Sequence, residues 1–358
     1  MKRKFIFLIL GLFHFTFFVW AQQAQKDTLA KHFASYIRAE NLSKHLYILA
    51  SDSLQGRKTA TEGQKKAARY IAQEMEKMGL KPANTKNQTN PFWQTFKVIT
   101  NGWYYSLYRS RKQNEREESQ ILSTENVVGW IEGTDKKDEY VIITAHYDHE
   151  GIINNKIYYG ADDNGSGTSS VLEIAKAFME AKKAGFAPRR SIVFMLLTAE
   201  EVGLLGSQYY VDFEPLFPLK QTIVNLNTDM IGRIDEKYLA LKKTDYVYLI
   251  GSDKLSKDLH QLQKKVNENS LKLTLDYTYN DPSHPEQLYR RSDHYNFAKK
   301  GIPVVFYFSG LHEDYHQPTD TPDKIHYPKM AKIAQLIFLT AWEIANREEK
   351  LTLDKEDR

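Results

Sequence analysis

The sequence predicts an α/β fold: a three-layer sandwich in which a mixed, mostly parallel central sheet is covered by helices on both faces. Short runs rich in β-branched and apolar residues, such as 141–145 and 191–198, have the length and composition of buried strands. These runs alternate with longer segments in which apolar residues recur every three or four positions, as in amphipathic helices. Such alternation is typical of a sheet with helices on both faces.

The first 21 residues have the pattern of a secretory signal peptide. A basic head, Lys2-Arg3-Lys4, precedes an apolar run over 5–19, and Ala21 supplies the small residue that a signal peptidase requires. The alternative is a retained membrane anchor, but the apolar run is shorter than the ~20 residues of a bilayer span. We therefore predict export to the periplasm or the extracellular space, no stable membrane association after cleavage, and a single domain over 22–358.

The charge balance of the mature chain argues against a nucleic-acid partner. The leader holds three of the 49 basic residues and none of the 45 acidic ones, so the mature chain is close to neutral. Nucleic-acid binding would require a concentrated basic face. The chain contains no cysteine, so no disulfide framework is expected despite the predicted export.

In the N-terminal half, Ala67, Ile71 and Met75 repeat at helical spacing, and Gly79 supplies a C-terminal stop. Asn101-Gly102 is typical of a hairpin turn between two strands. The predicted elements up to residue 167 are helices at 26–50 and 63–78, a connector at 81–90, strands at 92–100, 103–109, 126–132 and 140–145, a charged surface loop at 110–120, and a long loop at 149–167.

In the C-terminal half, the closing helix has the broadest apolar stripe, with Ile333, Ile337 and Ile344 on one face. The predicted helices are 168–182, 201–211, 254–268 and 327–347, the predicted strands are 191–198, 222–228, 246–250, 271–277 and 302–308, and irregular loops are predicted at 280–291 and 310–324.

His146-Tyr147-Asp148 follows a predicted strand and places an imidazole and a carboxylate two positions apart. Side chains at such spacing can point to one side of a strand end. A neutral histidine can bind a metal through one nitrogen while a carboxylate accepts a hydrogen bond from the other. A polar strand end with a surface histidine is the alternative.

The Gly/Asp/Asn/Ser loop at 160–167 allows three interpretations. Asp162 and Asp163 can supply a metal ligand and its support, the glycines before a helix can hold phosphate, or the loop is an ordinary helix cap. Two carboxylates directed into the site argue against an anionic ligand, so phosphate is the least favoured of the three interpretations.

Three further acids and a histidine follow apolar runs. Glu200 and Glu201 would repel each other unless a cation separates their roles, and Asp229 ends the run 222–228. His316 has His312 four residues before it, but Pro318 and the neighbouring turn formers indicate a loop, so His312 is not counted as a ligand.

Together these residues form a shell of imidazoles and carboxylates without thiolates. Such a shell suits zinc or a similar divalent ion, because both donor types bind borderline cations. With one bridging aspartate, five side chains can hold two metal ions ~3.5–4 Å apart, the arrangement of two-metal hydrolases. The candidate ligands are His146, one aspartate of 162–163, Glu201, Asp229 and His316.

The ordered motifs HYD, DDNGSG, AEEVGLLGS, DM, SDH and YH…DT resemble those of the dinuclear zinc exopeptidases. That family includes secreted bacterial leucyl-type aminopeptidases, with glutamate carboxypeptidases and glutaminyl cyclases as relatives. The resemblance covers almost all of the mature chain. It implies two zinc ions per chain and a metallopeptidase that hydrolyses N-terminal residues of peptides.

Residue by residue, the resemblance implies a bridging Asp163 followed by a cis peptide bond. His146 and Asp229 would complete one zinc site, and Glu201 and His316 the other. Glu200 would be the general base for a water shared by the two ions, with Asp148 as the partner of His146. The resemblance also places Ser292, Asp293, His294 and Tyr315 on the substrate side, although loop packing is an alternative for all four.

Three alternatives remain open. A glutaminyl cyclase of the same fold would be expected to use one zinc ion and an altered acidic loop. A carboxypeptidase would need a cation for the terminal carboxylate, and Arg290-Arg291 beside SDH could supply it. A non-catalytic binding protein that keeps the fold would be expected to lack some ligands, and none is missing from this sequence.

Overall fold

The computed structural model describes residues 27–101, 104–108 and 119–354. The predicted leader, Gly102 of the predicted hairpin turn, and most of the charged loop at 110–120 lie outside the described residues. None of the helices in the described parts of the chain combines the length and the apolarity that a membrane crossing requires.

The described helices follow the periodicity of the sequence closely. The helix at 62–78 ends at Gly79, which adopts a left-handed conformation with φ of 86°. The helices are α1 at 27–34, α2 Ala39–Leu49, α3 Glu62–Met78, α4 Gly167–Lys183, α5 Leu205–Asp212, α6 Glu236–Ala240, α7 Lys257–Glu268, α8 His294–Ala298 and α9 Tyr327–Asn346.

The described strands are β1 Lys81–Pro82, β2 Trp93–Thr100, β3 Tyr105–Leu107, β4 Gln120–Ile131, β5 Lys136–His146, β6 Gly151–Ile153, β7 Lys156–Tyr158, β8 Arg190–Leu197, β9 Thr222–Thr228, β10 Tyr246–Ile250, β11 Thr274–Asp276 and β12 Val304–Phe308. Nine of these twelve described strands overlap runs that the sequence predicts as strands, whereas β1 lies in the predicted connector 81–90 and β6 and β7 lie in the predicted loop 149–167.

The main sheet has the strand order β11-β10-β12-β9-β5-β8-β4-β2-β3, with β1 paired to β4. The centre is parallel, since β12 pairs with β9, β9 with β5, and β5 with β8 in the same direction. The region around β2, β3 and β4 is antiparallel, as is the pair β10–β12. The structure thus confirms the α/β three-layer class and shows more antiparallel pairing than the sequence predicts.

The sheet separates two apolar cores, and successive residues of a strand alternate between them. In β8, Ile192, Phe194 and Leu196 pack with α2, α3, α4 and α9 on one face. Val193 and Met195 point to the other face, where α5 and α8 pack. This alternation follows from the two-residue period of a strand, and burial on both faces explains why the runs are continuously apolar.

Some predicted elements are wrong in detail. The segment 149–167, predicted as a loop, contains the hairpin β6–β7, whose three-residue strands are too short to give a periodic signal. The segment 201–204 forms turns before α5 instead of the start of a helix. The predicted helix at 26–50 is divided in two by a break at residues 35–38.

Candidate metal centre

The three central parallel strands end at one edge of the sheet, and a candidate ligand follows each of them. His146 is the last residue of β5 and pairs with Leu197 at the end of β8. Glu201 follows β8, and Asp229 follows β9. Because the carboxyl ends of parallel neighbours meet at one edge, these side chains converge. Asp163 reaches the same place from the loop before α4.

The five predicted ligands form two groups that share Asp163. His146 Nε2 lies 3.3 Å from Asp163 Oδ1 and 3.3 Å from Asp229 Oδ1. His316 Nε2 lies 3.0 Å from Asp163 Oδ2 and 3.2 Å from Glu201 Oε2. The two oxygens of Asp163 therefore face two different histidines, which is the placement of a bridging ligand.

The spacing of these atoms fits zinc. Ligand atoms at the corners of a tetrahedron around an ion with bonds of ~2.0–2.1 Å lie about 3.3 Å apart. The four distances above agree with this value. The donors are nitrogen and oxygen only, which zinc accepts, and four carboxylates (Asp163, Glu200, Glu201 and Asp229) gather at one buried place. Buried negative charge of this density requires compensating cations.

The pKa values of the site residues show the same excess of negative charge. Burial raises the pKa of Glu200 well above its usual value, and the carboxylates of Glu201 and Asp229 add to the effect. Burial alone would lower the pKa of His316, but its contacts with Asp163 and Glu201 raise that pKa to about 11. Without metal ions, protons are drawn onto the imidazoles of this centre.

Asp148 contacts both His146, a member of the first group, and the backbone of Glu200. Its side chain is buried, with Oδ1 3.8 Å from His146 Nδ1, and the hydrogen bond of that nitrogen goes to the backbone carbonyl of Asp148, at 3.2 Å. The Thr59 hydroxyl donates to Asp148 Oδ2 at 2.7 Å, and the backbone N–H of Glu200 donates to Oδ1 at 3.2 Å. Burial raises the pKa of Asp148 to about 6. Asp148 therefore connects His146 to the segment that carries Glu200.

The loop at 160–166 directs its two aspartates in opposite directions. The backbone N–H groups of Asp162 and Asp163 both donate to Asp320 Oδ2, at 2.9 and 3.2 Å. Asp162 Oδ1 accepts from the backbone of Gly232, and its Oδ2 lies 3.2 Å from His312 Nε2. Asp163 alone faces the centre, and the peptide bond after it is cis. His312 contacts Asp162 and not the shared aspartate.

The substrate-side residues occupy different places. Ser292 donates to Asp229 Oδ2 at 2.8 Å, beneath the centre. Asp293 is buried, which raises its pKa to about 7, and the buried ring of His294 packs against Phe306 with centroids 4.8 Å apart. The ring of Tyr315 stacks on that of His316 at 4.0 Å.

An open cavity of about 300 Å³ lies beside the centre. Among the residues that the structure describes, its wall is formed by His146, Asp163, Glu200, Glu201, Gly203, Leu204, Asp229, Met230, Arg291, Tyr315 and His316. Tyr315 is thus the member of the four substrate-side residues that lines the cavity, and Arg291 lines it as well.

Three supporting residues were not predicted from the sequence. His149 Nδ1 lies 2.7 Å from Glu201 Oε1, and Glu150 Oε1 lies 3.4 Å from His316 Nδ1. Asp320 holds the loop of Asp163. The signal for the first two was their position directly after the HYD motif, whereas Asp320 is the aspartate of the DT motif, whose contact partner could not be inferred from spacing.

Arg57 is a fourth such residue and donates to carbonyls of three separate segments near the centre. Its side chain is fully buried and donates to the backbone carbonyls of Leu49, Tyr147, Tyr159 and Gly160, at 2.6 to 2.9 Å. Burial lowers its pKa to about 10, so the guanidinium stays charged at neutral pH. The loop that carries Asp163 begins at one of these carbonyls.

Replacing Arg57 with methionine is expected to lower the free energy of unfolding by at least about 3 kcal/mol, because it leaves four carbonyls without this donor. Urea denaturation measures the change. The matched control is Arg69→Met, which removes a half-exposed arginine of α3 and should cost under about 1 kcal/mol. Equal losses in the two variants would contradict a structural role specific to Arg57.

Comparisons with known proteins agree with this centre. The profile of peptidase family M28 matches residues 126–341. The aminopeptidase YwaD of Bacillus subtilis (strain 168) is 30% identical over 237 residues, which cover 64% of this chain and 46% of YwaD. The probable leucine aminopeptidase of Arthroderma otae is 32% identical over 218 residues, which cover 59% of this chain and 55% of that protein. The chain thus spans about half the length of these two relatives.

Solved structures show the same fold. The LapA aminopeptidase of Legionella pneumophila superposes with a TM-score of 0.65 at 23% identity, covering 89% of this chain and 75% of LapA. Sequence and fold agree, and the matched residues include all five candidate ligands. The chain belongs to peptidase family M28.

Proposed function

We propose that this chain is an exported dizinc exopeptidase that removes N-terminal residues from peptides. The observation that carries the proposal is the pair of imidazole–carboxylate groups that share Asp163, with Glu200 beside them in the cavity wall. One ion would be held by His146, Asp163 and Asp229, and the other by Asp163, Glu201 and His316. When bound, two zinc ions lower the pKa of water and polarise a peptide carbonyl.

Glu200 is the general base in this proposal. A carboxylate oxygen of Glu200 lies within 4.8 Å of a His146 ring nitrogen and of a Glu201 oxygen, so it reaches the space between the two groups. A carboxylate at this position can take a proton from a water molecule between the two groups and return it to the leaving amine.

Two other residues act through position. The backbone carbonyl of Asp148 accepts from His146 Nδ1–H and orients the ring, and the Asp148 carboxylate accepts from the backbone N–H of Glu200. Ser292 donates to Asp229 and leaves the other oxygen of that carboxylate toward His146. On the substrate side, we assign Tyr315 to the wall of the site that receives the peptide, and we assign Asp293 and His294 to its buried support.

Aminopeptidase activity is favoured over the alternatives by the relatives. YwaD and the Arthroderma otae relative, whose matches cover 64% and 59% of this chain, are named aminopeptidases, whereas two relatives named glutamate carboxypeptidases match only 31% and 33% of it. A specific observation keeps a carboxypeptidase as the second candidate: Arg291 lines the cavity, and a guanidinium binds carboxylates well. All five ligands are brought together, which disfavours a binding protein that has lost its chemistry.

The test is a digest of a defined peptide library by the purified mature chain, followed by mass spectrometry and by metal analysis. We expect about two zinc ions per chain and the successive loss of residues from the amino end. Loss from the carboxyl end would favour the second candidate, and a mass loss of ammonia from N-terminal glutamine would favour a cyclase. A chain without zinc that releases nothing would overturn the proposal.

A further inference from the structure

The two groups of candidate ligands are contacted by different supporting residues. Three of these residues lie in one segment, 146–150: Asp148, His149 and Glu150. Asp148 supports the first group, as described above. The next two residues, His149 and Glu150, instead contact the second group, at Glu201 and at His316. The change of target follows from the chain direction, because β5 ends at His146 and the chain then turns across the site toward β6.

His149 holds one oxygen of Glu201. Its side chain is 0% exposed, and Nδ1 lies 2.7 Å from Glu201 Oε1, so an Nδ1–H donates to that oxygen. The other oxygen, Oε2, faces His316 Nε2 at 3.2 Å. One oxygen of Glu201 therefore accepts from His149, and the other faces the second metal site.

The ring of His149 is fixed in place by its surroundings. A side-chain carbon at Gly160 would lie 2.4 Å from His149 Cγ, so the ring packs directly against that glycine. On another side it meets the ring of His316 edge-on, with centroids 5.7 Å apart. The backbone N–H of His149 donates to the Arg57 carbonyl at 3.3 Å. In this position Nδ1 lies 2.7 Å from Glu201 Oε1, and the next carboxylate oxygen, Asp163 Oδ2, is 3.9 Å away.

Glu150 faces the outer nitrogen of His316. Its Oε1 lies 3.4 Å from Nδ1, while Nε2 of the same ring points to Asp163 and Glu201. A carboxylate on the outer nitrogen fixes the tautomer in which Nε2 carries a lone pair for a metal, and it raises the basicity of that nitrogen. Both side chains are about one-third exposed, so this contact is weaker than that of His149.

We propose that His149 and Glu150 are positioning residues of the second metal site, fixing Glu201 and His316 respectively, and that they set the zinc affinity of that site independently of the first. The proposal rests on the proposed dizinc function. Partners of metal ligands typically contribute 10–100-fold in affinity. The buried, short contact of His149 belongs at the upper end of this range, and the contact of Glu150, whose side chain is one-third exposed, belongs at the lower end.

The experiment measures stepwise Zn²⁺ binding to the metal-free mature chain by competition with a chromophoric chelator. His149→Phe keeps a ring of similar size without the donor and should weaken the second step by ~100-fold. Glu150→Gln should weaken it by ~10-fold. In both variants the first step should stay within about threefold of wild type. His149→Asn, whose amide nitrogen can take the place of Nδ1, should retain most of the second-step zinc affinity that His149→Phe loses.

The control is Glu313→Gln, which removes an exposed acid three residues before His316 and should leave both steps unchanged. Cobalt provides a second readout, because the visible absorption of Co²⁺ in the second site reports its ligands. We expect the same bands in wild type and His149→Asn. Different bands would make His149 itself a ligand and would overturn the positioning role, as would equal weakening of both steps or no weakening in either variant.

The two proposals fail separately. If wild type binds fewer than two zinc ions and releases no amino acids, the proposed function fails, and this inference fails with it. If wild type binds two ions and is active while the His149 and Glu150 variants bind zinc as wild type does, only this inference fails. Should His149→Phe not fold, Glu150→Gln, at a side chain that is one-third exposed, still decides the outcome.

Discussion

Replacing Glu200 with glutamine is expected to lower kcat by ~10²–10⁴-fold while two zinc ions remain bound. The amide has the size of the carboxylate but cannot accept the proton of the attacking water. The ligands stay in place, because Glu200 belongs to neither of the two groups that share Asp163. The measurement is kcat on an aminoacyl anilide together with the zinc content of the same sample.

The control for this prediction is Glu214→Gln, which removes an exposed acid beyond the end of α5. It should leave both kcat and zinc content unchanged. A Glu200→Gln enzyme with wild-type kcat would remove Glu200 from its role as base. A variant that lost zinc would instead place Glu200 among the ligands.

Replacing Asp163 with asparagine should weaken zinc binding at both sites by more than ~100-fold, because the loss of a ligand exceeds the loss of a ligand's partner. The asparagine side chain has only one oxygen. It therefore cannot place one ligand oxygen beside His146 and another beside His316, as Asp163 does. Chelator competition and metal analysis of the dialysed protein measure the effect. Activity should fall with the metal.

The neighbouring aspartate provides a matched control. Asp162→Asn makes an identical chemical change one residue away, where the side chain contacts the backbone of Gly232 and His312 instead of the centre. It should keep two zinc ions. If Asp162→Asn lost both ions and Asp163→Asn kept them, the assignment of the shared ligand would be reversed.

The positions of the metal-site candidates were largely accessible from the sequence, because strong apolar runs marked the ends of β5, β8 and β9. Parallel neighbours place such ends together, so His146, Glu201 and Asp229 could be grouped before any coordinates. Asp163 was distinguished from Asp162 only by the resemblance. In the structure, the distinction follows from Asp320, which lies 157 residues away in sequence and fixes the loop.

Other features could not be predicted, for physical reasons. The antiparallel region around β2 and β4 depends on pairing partners, which the composition of a single strand does not specify. The hairpin β6–β7 is too short to show a period. The contacts of His149 and of Arg57 depend on where distant segments meet, and sequence spacing contains no information on that.

The buried guanidinium of Arg57 and the hydroxyl of Thr59 have a consequence for where the molecule can be cut. Both belong to the stretch before β1, about 70 residues upstream of the region shared with the family profile, which begins at 126. Yet Arg57 donates to the backbone carbonyls of Tyr147 and Gly160 near the centre, and Thr59 donates to the Asp148 carboxylate. A fragment limited to the shared region would retain every candidate ligand. It would lack Arg57 and Thr59, whose hydrogen bonds hold the segments that carry those ligands.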